Sequence, residues 1–189
     1  MLLYLEPSEH AIVEAACERL IPAVEGHPGG GGALGCADYI DGLLGAFLVD
    51  PPRVWAGGPY SGRFGGDASF DQFTPLSRLE ELAWRTRIEG SQGLAEREFN
   101  GPVIGWQERY RDGITALGDD FCTVMAEEQD ARLDAVPRFA ALLYEHACEG
   151  AYGAPEYGGN RDLEGWRAVQ FPGDVQPRGY SDIEVSGRD

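Results

Sequence analysis

Apolar residues recur every three or four positions in six stretches of the chain, a spacing typical of amphipathic α-helices. In the stretch from Ala33 to Val49 they follow the i, i+3, i+4, i+7 rule, and we expect Asp38 and Asp41 to face away from them. The other five predicted helices run from Ser8 to Ile21, from Thr74-Pro75 to Ile88, from Pro102 to Leu117, from Asp119 or Asp120 to Leu133, and from Pro137 to Gly150. Because no stretch alternates apolar and polar residues as a half-buried strand does, the pattern predicts an all-α fold.

Glycine and proline separate the predicted helices. Four consecutive glycines, Gly29 to Gly32, have too much backbone freedom for the inside of a helix or strand and predict a loop. The segment from Pro51 to Phe73 is rich in glycine and aromatic residues, so we expect an ordered loop packed on the helices. Residues 155–189 show no regular period and are predicted to form an extended C-terminal arm. Residues 1–189 should therefore form a single domain, an irregular helical bundle with long ordered loops.

The chain is strongly acidic and contains no lysine. Its 32 acidic and 15 basic residues give a formal net charge of −17, which repels nucleic-acid phosphates and anionic lipid headgroups. All the basic residues are arginine, which excludes Schiff-base chemistry at a lysine and a lysine-type phosphate loop. We expect no membrane insertion, because no run approaches the roughly 20 apolar residues of a membrane span. The first residues carry no basic or twin-arginine leader pattern, so the expected location is the cytoplasm, or the periplasm if a leader has been removed.

The four cysteines do not form a recognisable metal or redox motif. Cys17, Cys36, Cys122 and Cys148 are widely separated, lack CxxC spacing and lie in otherwise apolar helical patterns. We expect buried free thiols, with one or two disulfides as the alternative in an exported protein.

Candidate catalytic groups are few. No GxSxG elbow is present, and Cys148 and His146, two residues apart on a helix, point about 200° away from each other. His146 and Glu149 are three residues apart on one helix face, which provides half of a carboxylate and imidazole metal site. A second carboxylate and imidazole pair would be needed to complete the metal site, but neither His10 nor His27 lies in an ExxH pattern. A free-standing small-ligand or metal-binding enzyme that uses His146 and Glu149 stays as the alternative hypothesis.

The start of the predicted arm combines glycines with the residue types that dominate binding hot spots. Adjacent glycines also allow another backbone to approach closely. The candidate residues for binding a partner, or for anchoring the arm, are Tyr157, Gly158, Gly159, Asn160, Arg161 and Trp166. The alternative is an arm that packs back over the chain's own helices.

Several short blocks resemble the gluconate 2-dehydrogenase subunit 3 family. They are Glu18-Arg19-Leu20-Ile21-Pro22, Tyr39-Ile40-Asp41, Glu149-Gly150, Pro155-Glu156-Tyr157-Gly158-Gly159-Asn160, Gly165-Trp166 and Phe171-Pro172-Gly173. Their order and spacing agree with the family from about Glu9 to Gly173, while the region from Pro51 to Asn100 is longer than the family pattern.

The resemblance implies the small subunit of a flavin-dependent dehydrogenase whose large subunit is a glucose-methanol-choline type oxidoreductase, acting on sugars, sugar acids or related alcohols. FAD and the catalytic histidine are then expected in the large subunit, and a cytochrome accepts the electrons. In many members the small subunit carries a twin-arginine leader, which this sequence does not show. The chain is accordingly expected to be a non-catalytic accessory subunit, with no catalytic, cofactor-binding or metal-binding residues of its own. An acidic regulator of a basic protein is the third hypothesis.

Overall fold

Helices form the regular structure of residues 1–24, 29–54 and 75–171, the parts of the chain that this computed structural model describes. The seven α-helices of these ranges are α1 (Pro7–Leu20), α2 (Cys36–Leu44), α3 (Arg78–Glu89), α4 (Trp106–Leu117), α5 (Ala126–Ala135), α6 (Pro137–Tyr152) and α7 (Glu164–Ala168). Three short 3-10 helices are Ala95–Arg97, Pro155–Tyr157 and Arg161–Leu163. The same ranges contain no β-sheet, and the all-α prediction is confirmed.

One large apolar core lies where α1, α2, α4, α5 and α6 meet. Ile12 and Ala16 of α1 and Leu143 of α6 are buried there, as their helical spacing predicts. Tyr110 of α4 is fully buried in the same core, and α2 packs most extensively against α6. A second, smaller cluster under α3 includes Ile88.

Three helices begin later than predicted. α3 begins at Arg78 and not at Pro75, because Ser77 and Glu80 form a capping box in which each side chain accepts the other's backbone N–H. α4 begins after Gly105 rather than at Pro102. α5 begins after Met125, because residues 118–124 form a turn that buries Phe121 in the core.

α2 is shorter than the predicted helix from Ala33 to Val49. It follows Gly35, whose φ of 76° lies in the left-handed region, and it ends before Gly45. A side chain at Gly45 would collide with Leu3, since a Cβ there would lie 2.5 Å from the Leu3 Cβ. The N-terminal segment therefore crosses the end of α2, and the chain turns away at that point.

Asp41 is buried, so the prediction that it faces away from the core is wrong. Its carboxylate accepts the backbone N–H groups of Leu3, Tyr4 and Leu5 at 2.7, 2.9 and 2.8 Å. These bonds replace the water that the carboxylate loses on burial, and they tie the N-terminal segment to α2. Hydrophobic periodicity cannot reveal such a role, because it treats every carboxylate as a surface group.

All four cysteines are free, which confirms that prediction, although their burial differs. Cys17 and Cys36 are buried, Cys148 is half-buried, and Cys122 is exposed against expectation. Burial raises the pKa of the Cys17 thiol well above its ordinary value and raises the pKa of Cys36 to about 12. Both buried thiols therefore stay protonated at neutral pH.

Two sequence predictions fall outside the described residues. The predicted aromatic loop between Pro51 and Phe73 is described only to Val54, and the predicted C-terminal arm is described only to Phe171. Within the described ranges, no helix is long and apolar enough to cross a membrane.

Candidate functional site

The first part of the predicted arm, residues 155–171, is folded rather than extended. It forms two 3-10 turns and α7, which lie against α6 and α2. This corrects the sequence prediction over these residues and supports the alternative of a segment that packs back on the chain's own helices. We call residues 155–171 the C-terminal segment.

Asn160 holds the C-terminal segment to α6. Its side chain is fully buried; the amide nitrogen donates to the Gly153 carbonyl at 2.9 Å, and the amide oxygen accepts the Gly165 N–H at 3.0 Å. The backbone φ of Asn160 is 48°, a left-handed conformation that asparagine tolerates better than most residues. The bond to Gly153 also satisfies a carbonyl at the end of α6, where helical partners run out.

Gly159 and Trp166 complete this anchor. A Cβ at Gly159 would lie 2.1 Å from the Gly150 carbonyl oxygen, so only glycine fits between the segment and α6. The Trp166 indole is buried, donates its N–H to the Tyr152 carbonyl at 2.7 Å, and meets the Phe171 ring edge to face. Gly159, Asn160 and Trp166 are therefore anchoring residues.

The other three candidate residues lie nearer the surface. Gly158 and Arg161 are exposed, and the Arg161 guanidinium pairs with the Asp38 carboxylate, which also contacts His10. Tyr157 is half-buried, and this burial raises the pKa of its phenol to about 12. For all six candidate residues, partner binding stays a prediction.

The first sequence block links α1 to the glycine loop and to α5. The Glu18 carboxylate accepts the Gly32 N–H at 3.1 Å, and a Cβ at Gly30 would fall 2.2 Å from a Glu18 oxygen. Arg19 donates two hydrogen bonds, at 2.8 and 2.7 Å, to the Asp130 carboxylate of α5. This bidentate pair lowers the pKa of Asp130 through the hydrogen bonds from Arg19. The predicted loop at Gly29 to Gly32 is thus held tightly by α1.

Tyr39 and Glu149 join α2 to α6. The Tyr39 hydroxyl donates to Glu149 at 2.8 Å, and burial, followed by the Glu149 charge, raises the pKa of Tyr39. At Gly150 a Cβ would meet the Cys36 Cα at 3.1 Å, so the glycine permits the two helices to approach. A pocket of about 300 Å³ opens beside this pair, and Trp84 is one of its walls.

His146 and Glu149 take separate partners. His146 is buried; its Nδ1 lies 2.9 Å from the Tyr110 hydroxyl, and the Trp106 ring stands edge-on at 4.6 Å. Burial lowers the pKa of His146 to about 4. Glu149 instead binds Tyr39. Over the ranges described, no group of three or more His, Cys, Asp or Glu side chains is arranged to hold a metal ion.

The structural roles of these residues coincide with the blocks that carried the resemblance. Apart from Phe171, whose ring packs on Trp166 within the C-terminal segment, each block with described side chains connects two separate parts of the helical chain. A family model described as gluconate 2-dehydrogenase subunit 3 matches residues 7–173, and the chain belongs to this family. It is thereby an accessory subunit of a dehydrogenase complex, and the family implies a catalytic partner. No curated protein and no solved structure matches the chain.

Proposed function

We propose that this chain is the non-catalytic small subunit of a flavin-dependent oxidoreductase of the glucose-methanol-choline type. The partner would bind FAD, carry the catalytic histidine and oxidise a sugar or a related alcohol, and a cytochrome or another acceptor would take the electrons. The chain would stabilise or mature the partner in the cytoplasm, or in the periplasm if a leader has been removed.

One observation supports this proposal most directly: the family's blocks bind the chain's own backbone. Glu18 holds a glycine loop, Asp41 holds the N-terminal segment, and Asn160 holds the C-terminal segment. Residues that hold backbone segments in this way preserve the surface shape of the chain. A subunit that acts by binding a partner depends on such a fixed surface.

The effect on the partner would follow from mass action. A subunit that binds only the folded catalytic chain stabilises that chain by about 2.7 kcal/mol when present at 100 times its dissociation constant. Because FAD also binds only the folded state, the two ligands support each other. The partner should therefore retain more flavin when this chain is bound.

The test is co-expression of this chain with a candidate catalytic subunit, a flavin-dependent oxidoreductase of the glucose-methanol-choline type. We expect a soluble partner with the yellow absorbance of bound flavin, and a large loss of soluble, flavin-loaded partner when this chain is left out. An equal yield of flavin-loaded partner without this chain would contradict the proposal.

Removing residues after Gly153 should also abolish the effect, but such a truncation removes Asn160 and Trp166 from the body as well. A substitution at exposed Arg161 is a sharper probe, since the buried anchor stays in place. If Arg161→Ala left the yield and the affinity unchanged, Arg161 would not be a partner-binding residue.

The alternative hypothesis of a ligand-binding or metal-binding enzyme has a separate test. Metal analysis of the isolated chain should find no stoichiometric transition metal. One metal ion per chain, lost in His146→Gln, would favour the alternative.

The third hypothesis, an acidic regulator of a basic protein, makes a different prediction. Exposed charge pairing weakens as salt screens it, so such a complex would dissociate between low and physiological ionic strength. A complex with the flavin oxidoreductase that survives physiological salt would contradict this hypothesis.

A further inference from the structure

A groove of about 690 Å³ runs between α4 and the beginning of α6. Its floor is apolar and includes Ala116, Phe139 and Leu142, and exposed Ile104 lies along it. The groove lies at the opposite end of α6 from Gly153, where the C-terminal segment is anchored. It is therefore separate from the sequence blocks described above.

The floor of the groove is firmly packed. A Cβ at Gly113 would lie 2.2 Å from the Phe139 ring, so α4 and α6 are in direct contact there. Phe139 in turn meets the buried Tyr110 ring edge to face, with centroids 5.3 Å apart. A rigid apolar floor with an exposed isoleucine beside it suits an apolar segment of another protein.

Two arginines on the groove have no carboxylate partner in the described chain. Arg109 and Arg138 both line the groove, and neither forms an ion pair among residues 1–24, 29–54 and 75–171. Ion pairs with carboxylates in these ranges are formed by, among others, Arg19, Arg85, Arg97, Arg132 and Arg161. Among the described residues that line the groove, Asp112 is the one acidic residue. In a chain with 32 acidic and 15 basic residues, this surface has a local excess of positive charge.

The beginning of α6 adds to that positive charge. Its first turn contains no acidic residue, and its N-cap residue Val136 supplies no side-chain hydrogen bond. Each of the other α-helices in the described ranges has an acidic residue in its first turn. Pro137 has no N–H, and the Phe139 N–H already donates to the Val136 carbonyl at 3.0 Å. It is therefore the helix dipole at the start of α6, rather than a set of free N–H groups, that favours an incoming carboxylate.

We propose that this groove binds an apolar segment of the catalytic subunit that carries one or more carboxylates. The apolar side chains lie on Phe139, Leu142 and Ile104, and the carboxylates pair with Arg109 and Arg138. The inference rests on the proposed function, since it takes the catalytic subunit as the partner.

A second copy of this chain fits the groove less well. In a two-fold dimer through this surface, Arg109 and Arg138 of one chain meet a single groove carboxylate, Asp112, of the other, which leaves an arginine unmatched. Two chains of charge −17 also repel each other at a distance. A partner that supplies carboxylates has neither difficulty.

The test compares two charge reversals in the co-expressed complex. Arg138→Glu reverses a charge on the groove, and Arg78→Glu makes the same change at exposed Arg78, in the first turn of α3. Glutamate is favourable in the first turn of a helix, so neither variant should weaken folding. The complex is purified through a tag on the catalytic subunit and diluted, and its dissociation constant is measured by mass photometry.

We expect Arg138→Glu to raise the dissociation constant at least about tenfold and Arg78→Glu to change it less than about twofold. Equal effects of the two variants, or none from either, would overturn the groove assignment while the complex itself still supports the proposed function. A wild-type chain that forms no complex would overturn both. An isolated wild-type chain that dimerises, with Arg138→Glu monomeric, would reassign the groove to self-association and overturn the inference.

Discussion

Asn160 and Gly165 are joined by a buried hydrogen bond, from the Gly165 backbone N–H to the Asn160 side-chain oxygen, at 3.0 Å. The same side chain donates to Gly153 at 2.9 Å, so one amide connects the end of α6 to α7. This connection fixes a segment whose sequence has no helical period.

Removing this amide should destabilise the chain. Asn160→Ala leaves the Gly165 N–H and the Gly153 carbonyl without their partner, and we expect a loss of about 2–3 kcal/mol in the free energy of unfolding. The measurement is urea denaturation followed by circular dichroism. Asn100→Ala is the control, because Asn100 is exposed, and it should change stability by less than about 0.5 kcal/mol. Equal stability of the two variants would refute the anchoring role.

The close approach of Gly159 to Gly150 predicts a strong effect of one methyl group. Gly159→Ala places a Cβ against the Gly150 carbonyl and should cost about 1–3 kcal/mol. The matched control is Gly42→Ala in α2, where the nearest atom to the new Cβ is 3.7 Å away. Because alanine is the better helix former, the control should be neutral or should stabilise by up to about 1 kcal/mol. Thermal unfolding of both variants is the measurement; a Gly159→Ala melting temperature equal to that of wild type would contradict the packing.

Asp41 should matter more to stability than any surface carboxylate. Asp41→Asn replaces one of the two accepting oxygens with a donor that faces backbone N–H groups, and we expect a loss of about 2–4 kcal/mol. Hydrogen exchange at Leu3, Tyr4 and Leu5 should also become faster. Exposed Asp134→Asn serves as the control and should leave both quantities unchanged. Unchanged exchange in Asp41→Asn would show that the N-terminal segment is held by other contacts.

Burial of His146 predicts a pH dependence of stability. Its folded pKa of about 4 lies below the value of 6.5 for a free histidine, so the unfolded chain binds the proton more readily. The contribution is therefore fully present above pH 6.5 and is lost as the pH falls toward 4. Between pH 7 and pH 5 it amounts to roughly 2 kcal/mol.

His146→Gln is the control for this dependence, since glutamine does not titrate. The difference in unfolding free energy between wild type and His146→Gln should shrink by roughly 2 kcal/mol from pH 7 to pH 5. A difference that stays constant over this range would show that His146 titrates alike in both states.

The apolar period locates six of the seven α-helices in the described ranges, but it misses α7 and several helix boundaries. The apolar period places Ile12, Ala16 and Leu143 in the core correctly, because burial of one helix face is what the period records. Helix starts depend on single capping interactions. The bond between Ser77 and Glu80 determines where α3 begins, and the proline at residue 75 does not.

The site was only partly visible in the sequence, for a related reason. The candidate block was found through its glycines and aromatic residues, but the same residue types serve binding and anchoring alike. Asn160 turns out to be buried and Arg161 exposed, a distinction that depends on long-range contacts with α6 and α2. Two features leave no periodic signal in the sequence: the hydrogen bonds from the N-terminal segment to Asp41, and the groove lined by Arg109 and Arg138. Each of them brings together residues that are distant in the sequence.

We expect this chain to form a complex with a flavin oxidoreductase and to support the activity of that enzyme. The most direct measurement is light scattering with flavin absorbance on the co-purified material as it leaves a size-exclusion column. We expect one peak that contains both chains in a fixed ratio with bound flavin, and activity that falls when this chain is removed. Two separate peaks, with the catalytic chain fully loaded and active alone, would contradict this expectation.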